Sequence, residues 1–256
     1  MILVLGGTSE ARELAELLDA AGARFVSSLA GRVAKPRLPV GAVQIGGFGG
    51  VDGLRAYLAE HRVDAVVDAT HPFAEGMTRN AIAACAADGI ALLRLERPGW
   101  SDAHGASGAD WPGADWPGAD WHWVDDHDQA AAAAAELGEH PFLTVGRQAL
   151  DRFVGPLGER RTVARVVDAP AIEVPATWTV LLSRGPYPIE SERRIFAEND
   201  IDVLVTKDSG GSYTRAKLDV AAERGSAVVM VRRAAAAPGV PTVTDAAAAA
   251  AWLAQR

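Results

Sequence analysis

Three short stretches carry residue types and spacings that chemistry could use. The first is Gly6-Gly7-Thr8-Ser9, which follows the apolar run Ile2 to Leu5 and precedes a helix with Leu14, Leu17 and Leu18 on its apolar side. A strand, a glycine turn and a helix N-terminus aim backbone N–H groups and a dipole at one spot, which suits a phosphate. Against the dinucleotide fingerprint G-x-G-x-x-G the matching positions are Gly6, Thr8 and Ala11, so only the first is glycine. The same start also occurs in α/β proteins that bind no nucleotide. The second stretch is Asp68-Ala69-Thr70-His71-Pro72. It leaves a predicted strand, Ala65 to Asp68, at its carboxyl end, the edge where open α/β sheets bind ligands. His71 is a candidate proton donor, because the ordinary range of an imidazole would let it donate near neutrality, and Asp68 is beside it. The bland alternative is that His71 and Pro72 only shape the strand exit. The third stretch is Thr206-Lys207-Asp208-Ser209-Gly210-Gly211. It lacks the spacing of a P-loop, so ATP hydrolysis is not expected. A lysine and a glycine turn before a helix suit a carboxylate or phosphate. Lys217, in that helix, either adds charge to the site or is solvated.

These residues need a scaffold, and the chain supplies one in a regular grammar. Strands are predicted at Ile2–Leu5, Arg24–Ser28, Val43–Ile45, Ala65–Asp68 and Ile90–Arg94, with a helix from Glu75 to Asp88. Gly46-Gly-Phe-Gly-Gly50 reads as a ligand-facing loop, with a plain flexible loop as the alternative, followed by Asp52 as N-cap of a helix to His61. The second strand ends in Ser27-Ser28-Leu29-Ala30-Gly31-Arg32, with Lys35 and Arg37 close behind. NAD binders place an acid there for the ribose hydroxyls. Three bases and no acid favour the 2′-phosphate of NADP, with Arg32 as the best candidate; a solvated basic loop is the alternative. Residues 108 to 121 repeat Gly-Ala-Asp-Trp-Pro, the last copy without its proline, and read as a surface excursion. The grammar then restarts. Asp128 opens an Ala-rich helix, and strands are predicted at Pro141–Val145, Arg161–Val167, Trp178–Ser183, Asp202–Thr206 and Ala227–Val231. Helices are expected from Ile189 to Asn199, up to Arg224, and from Asp245 with Trp252 as anchor. Arg147, Arg184 and Lys207 all fall at strand exits of this half. The expected fold is α/β, with two Rossmann-like parallel-sheet domains. Their bounds are residues 1–96 and 124–256, joined by a linker over 97–123.

Composition excludes several functions. The chain has 256 residues, 49% of them hydrophobic, enough for one large or two small packed domains. A net charge of −8 argues against a general nucleic-acid binder while leaving room for a local basic pocket. Cys85 is the single cysteine, so no intramolecular disulfide and no cysteine metal cluster is expected, and it reads as a small core residue. No signal peptide and no membrane-length apolar run is found, which points to the cytoplasm and to a protein without membrane partners.

In combination GGTSEAR (6–12), SLAGR (28–32), GGFGG (46–50), DATHPFA (68–74), ERPGW (96–100) and TKDSGG (206–211) resemble the precorrin-6A reductase family of cobalamin biosynthesis, in its aerobic-pathway form. The resemblance spans nearly the whole chain. It implies a cofactor, NADPH, and a tetrapyrrole substrate, precorrin-6A, in a cleft between the two halves, in a monomer or small homo-oligomer. The cofactor contacts it implies are Gly6, Gly7, Thr8, Ser9, Arg12, Ala30, Gly31, Arg32, Gly47 and Thr70. Substrate contacts would be Arg147, Arg184, Lys207, Ser209, Gly210, Gly211 and Lys217, with His71 and Asp68 catalytic and no metal. Val231-Arg232-Arg233-Ala234 stands where the family tends to have Arg-Pro, and the tryptophan repeat lies outside the family pattern. Two rivals remain: an NADP-dependent reductase of another substrate, and a non-catalytic NADPH sensor.

Overall fold

In the computed structural model, which describes residues 1–31, 36–100 and 121–256, every paired strand is parallel to its neighbour. The first run is β1 (Ile2–Leu5), α1 (Ser9–Ala20), β2 (Phe25–Leu29), β3 (Ala42–Ile45), α2 (Val51–Glu60), β4 (Ala65–Asp68), α3 (Glu75–Asp88) and β5 (Ala91–Leu95). The second is β6 (His122–Val124), α4 (His127–Leu137), β7 (Pro141–Leu143), α5 (Asp151–Leu157), β8 (Val163–Val166), β9 (Thr179–Leu182), α6 (Ile189–Glu198), β10 (Val203–Lys207), α7 (Ala216–Arg224) and β11 (Ala227–Val231). The chain then adds β12 (Thr242–Val243) and α8 (Ala246–Ala254).

The strands form two six-stranded sheets, ordered β12-β5-β4-β1-β2-β3 and β6-β11-β10-β7-β8-β9. The central strands are apolar at successive positions because both faces of a parallel sheet are covered. In the first sheet Leu3 and Leu5 face Leu54, Leu58, Ala81 and Ala84 of α2 and α3, while Val4 faces Leu14, Ala15 and Leu18 of α1 and Ala246 and Ala249 of α8. Cys85 belongs to the first of these cores, and burial pushes its thiol up to about 11. In the second sheet Phe142, Leu204 and Met230 pack with Phe196 of α6, Leu218 of α7 and Trp100.

The chain divides into two compact units, but at other places than the sequence predicts. One unit is Met1–Arg97 with Ala234–Arg256, and the other is Pro98–Arg233. The expected second domain, 124–256, therefore loses its last segment to the first unit. There β12 pairs with β5, and the Arg94 and Glu96 amides donate to the Pro241 and Val243 carbonyls, both at 2.9 Å. It also gains Pro98 to Trp100 and Trp121 to Trp123 from the expected linker. Trp121 ends the repeat but is a core residue, 9% exposed; the rest of the repeat lies outside the described residues. Helix starts differ as well. Gly50, not Asp52, caps α2, and Asp126, not Asp128, caps α4 by accepting from the Gln129 amide.

Candidate active site

Four strand exits of the first unit are tied together by backbone bonds. The Gly6 amide donates to Ser28 O at 2.8 Å, the Gly46 amide to Leu29 O at 2.9 Å, and the Ala69 amide to Leu5 O at 2.9 Å. Thr8 completes the set: its hydroxyl donates to Ala69 O at 2.8 Å and accepts the Ala11 amide at 3.1 Å, capping α1. Thr8 is thus spent on shape. The chain runs from β1 outward through β2 and β3 on one side and through β4 and β5 on the other. The β1–β4 boundary is the point where sheets of this kind bind ligands. Around it Gly6 is half-buried, Gly7, Ala30, Gly31 and Gly47 are exposed, and Ser9 and Arg12 are half-buried. Gly7 and Gly46 have φ of +117° and +130°, and an added Cβ at either would meet nothing within 4 Å. Backbone at this edge is therefore open to a bound group. Arg32 and Lys35 lie outside the described residues, and Arg37 is exposed.

Asp68 is 1% exposed and fully engaged. It accepts from the Thr70 amide at 3.1 Å, the Thr70 hydroxyl at 2.7 Å and the Thr78 hydroxyl at 2.7 Å, and it pairs with Arg94 at 2.9 Å. Arg94 also donates to the Thr70 hydroxyl at 3.1 Å and pairs with Glu96 at 2.7 Å. Asp68, expected as catalytic, is thus buried inside a network that fixes the Thr70–His71 exit, and the Thr70 hydroxyl is turned inward with it. Sequence reasoning missed Arg94, because a lone arginine inside a strand carries no motif. His71 is half-buried, and its Nδ1 accepts the Phe73 amide at 3.2 Å. In the neutral ring the proton then sits on Nε2.

The second unit repeats this plan with cations. Its chain reverses between β7 and β10, and Lys207 leaves β10 there. The Lys207 ammonium lies 3.8 Å from where a Cβ on Gly146 would stand, at the exit of β7. Burial lowers the lysine to about 8. Next to it His127, the first residue of α4, has a buried Nε2 with no hydrogen-bond partner among the described residues. Burial and then the Lys207 charge hold this imidazole below its ordinary value. Nothing in the sequence singled out His127. Arg147 follows Gly146 and stands 4.0 Å from Asp168 at the β8 exit, while Arg184 is exposed at the β9 exit.

Asp208 explains why two separated motifs occur together. Its carboxylate accepts the Trp100 amide at 2.6 Å, and its carbonyl accepts Arg233 Nε at 2.6 Å. The Trp100 indole N–H donates to Gly211 O at 3.2 Å. A Cβ on Gly210 would overlap Pro98 O, and one on Gly99 would overlap the Asp208 carboxylate, so both positions need glycine. Pro98-Gly-Trp100 and Asp208-Ser-Gly-Gly211 are thus two halves of one staple, which sets Lys207 and Ser209. Arg233, where the sequence departs from the family, belongs to the staple; Arg232 pairs with Asp125 at 3.2 Å.

Lys217 is not solvated. It is 4% exposed, with its ammonium 5.6 Å from the Trp100 ring centre. Arg165 of β8 and Glu192 of α6 form a buried ion pair near it, and Arg165 also stacks on Tyr187 at 3.7 Å. Burial lowers Lys217 to about 7, reinforced by Arg165 and Lys207 and opposed by Glu192. Among the described residues no group of three histidines, cysteines or acids could hold a metal, and no helix is long and apolar enough to cross a membrane.

Comparison with known proteins gives this arrangement a family. The chain is 48% identical to the precorrin-6A reductase of Rhodococcus erythropolis over 253 residues, covering 98% of this chain and 96% of that one. It is 44% identical to the precorrin-6A reductase of Mycobacterium tuberculosis (strain ATCC 25618 / H37Rv), covering 99% and 97%. A solved structure of CobK precorrin-6A reductase superimposes with a TM-score of 0.86 at 35% identity, covering 99% of this chain and 96% of that one. The family model for precorrin-6x reductase CbiJ/CobK matches residues 1–254, and the chain belongs to that family.

Proposed function

We propose that this protein reduces precorrin-6A to precorrin-6B with NADPH, in cobalamin biosynthesis. The observation that carries the reading is the pairing of two unlike sheet edges in a chain matched to the family over residues 1–254: glycine-rich in one unit, cationic in the other. The open backbone at Gly7 and Gly46 beside the N-terminus of α1 fits a dinucleotide. Gly6, Gly7 and Ser9 would hold its pyrophosphate, with Arg12 and Gly47 alongside. Ala30, Gly31 and Arg32 would hold the 2′-phosphate, which selects NADPH over NADH. When bound, the cofactor supplies a hydride. Arg147, Arg184, Lys207 and the Ser209-Gly210-Gly211 turn bind and orient ring carboxylates, so an acidic protein holds a polyanion by local charge. The same reading places the protein in the cytoplasm.

The test is anaerobic incubation with precorrin-6A and NADPH, following the ring's visible spectrum and the cofactor together. One ring reduced per NADPH oxidised is expected; NADPH bound without turnover would mean a sensor. Arg32→Ala tests the 2′-phosphate contact. Losing a charge-assisted bond costs roughly 1.5–3 kcal/mol, one to two decades in affinity. NADPH binding should weaken by that much while NADH binding stays level, and equal loss for both would sink the assignment.

A further inference from the structure

We propose that Lys217 is the acid that gives the macrocycle its proton as hydride is added to the neighbouring carbon. This rests on the reading of the chain as a precorrin-6A reductase. Lys217 is the second residue of α7, so it lies at the same end of the second sheet as Lys207 and the Ser209–Gly211 turn. It is buried beneath Trp100, yet among the described residues its ammonium makes no hydrogen bond and no ion pair. Charged groups reach it from three directions: Glu192 on α6, Arg165 on β8 and Lys207 on β10. Arg165 takes one oxygen of Glu192, and the other, Oε2, is buried without a partner among the described residues. β11 contributes no titratable residue. On α7 itself Asp219 is paired with Arg215, and Glu223 with Arg193 of α6.

A buried ammonium without a counter-ion weakens the fold, and methionine would fill the same space without that cost. Such local violations are kept where function needs them. The environment also suits the chemistry, because the depressed value near 7 makes the ammonium a competent acid at neutral pH and the amine a stable product. The step balances. The reduced cofactor would supply the hydride, whose two electrons make one C–H bond. The π electrons of the reduced double bond take H⁺ from Lys217 at the adjacent carbon. The N–H bond breaks, Lys217 is left neutral, and water returns its proton after turnover.

Lys217→Met and Lys217→Arg test this, with His71→Ala as the competing donor. Lys217→Met should lower kcat by roughly 10²–10⁴-fold, with both KM values within about threefold and a raised Tm. Arginine keeps the charge but not a transferable proton, so Lys217→Arg should be as slow. Wild-type kcat/KM should fall as pH rises through about 7, and this limb should vanish in Lys217→Met but persist in His71→Ala. Near-normal kcat in Lys217→Met, a rise in KM alone, or loss of the limb in His71→Ala would overturn the proposal. A wild-type protein that leaves precorrin-6A unreduced would instead overturn the functional reading beneath it.

Discussion

Asp68 and Arg94 are buried as each other's counter-ion, whereas Lys217 gives up water and gains only the fields of its neighbours. The two cases respond oppositely to mutation. Arg94→Leu strands a buried carboxylate and should cost about 3–5 kcal/mol, read as a lower urea midpoint at unchanged m. Lys217→Met should stabilise. The lysines also set a pH dependence. Lys207 and Lys217 are lowered to about 8 and about 7 from 10.5, so the unfolded chain holds more protons than the folded one in that window. Stability contributed by these sites therefore rises as pH climbs from about 7 towards 10.5. The Tm advantage of Lys217→Met over wild type should shrink across the same range, and a gap independent of pH would contradict the burial argument. Lys207→Ala should raise KM for the tetrapyrrole and leave NADPH binding intact, which isothermal titration and initial rates separate.

At the scale of elements, the staple between Pro98–Trp100 and Asp208–Gly211 is packed too closely for a side chain at Gly99 or Gly210. Gly210→Ala would drive a methyl into Pro98 O at a φ of +65°. It should move the turn and raise KM for the tetrapyrrole at least tenfold, a difference of about 1.4 kcal/mol, while NADPH affinity holds. Much of the element pattern was legible in sequence. β1, β4 and α3 coincide with their predicted ranges, because β1 and β4 are apolar runs stopped by glycine or proline and α3 ends at Gly89. β6, β12 and α5 were not legible: the two strands have three and two residues and exist through pairing with β11 and β5, which no local pattern announces. Of the candidate site, positions were legible and partners were not. Strand exits located Asp68, His71 and Lys207. That Asp68 answers Arg94, that Asp208 answers Trp100, and that Lys217 is buried all depend on contacts across 26, 108 and 117 residues of chain.

Across the whole molecule, the division into units was misread for a comparable reason. Nothing in Thr242-Val243 or the Ala-rich α8 states which sheet it joins, and β12 with α8 closes the first unit. A chain ending at Arg233 would leave the α1 face around Leu14 and Leu18 without Ala246 and Ala249. It should lose cooperative unfolding of the first unit while a second calorimetric transition survives. Deleting residues 108–117, two copies of the repeat, should change neither activity nor Tm by much, provided that Trp121 stays to fill its core.

The returning segment also sets an order of events during synthesis. Residues 1–97 leave the ribosome first, but their sheet lacks its edge strand and covering helix until residues 234–256 follow. At roughly 5–20 residues per second, the intervening 136 residues, Pro98 to Arg233, take on the order of ten seconds. The middle of the chain can finish folding in that interval, while the part begun earliest waits with its α1 apolar face uncovered. The nascent protein is thus most exposed to aggregation and to chaperones at its amino-terminal unit, and the unit begun first is completed last.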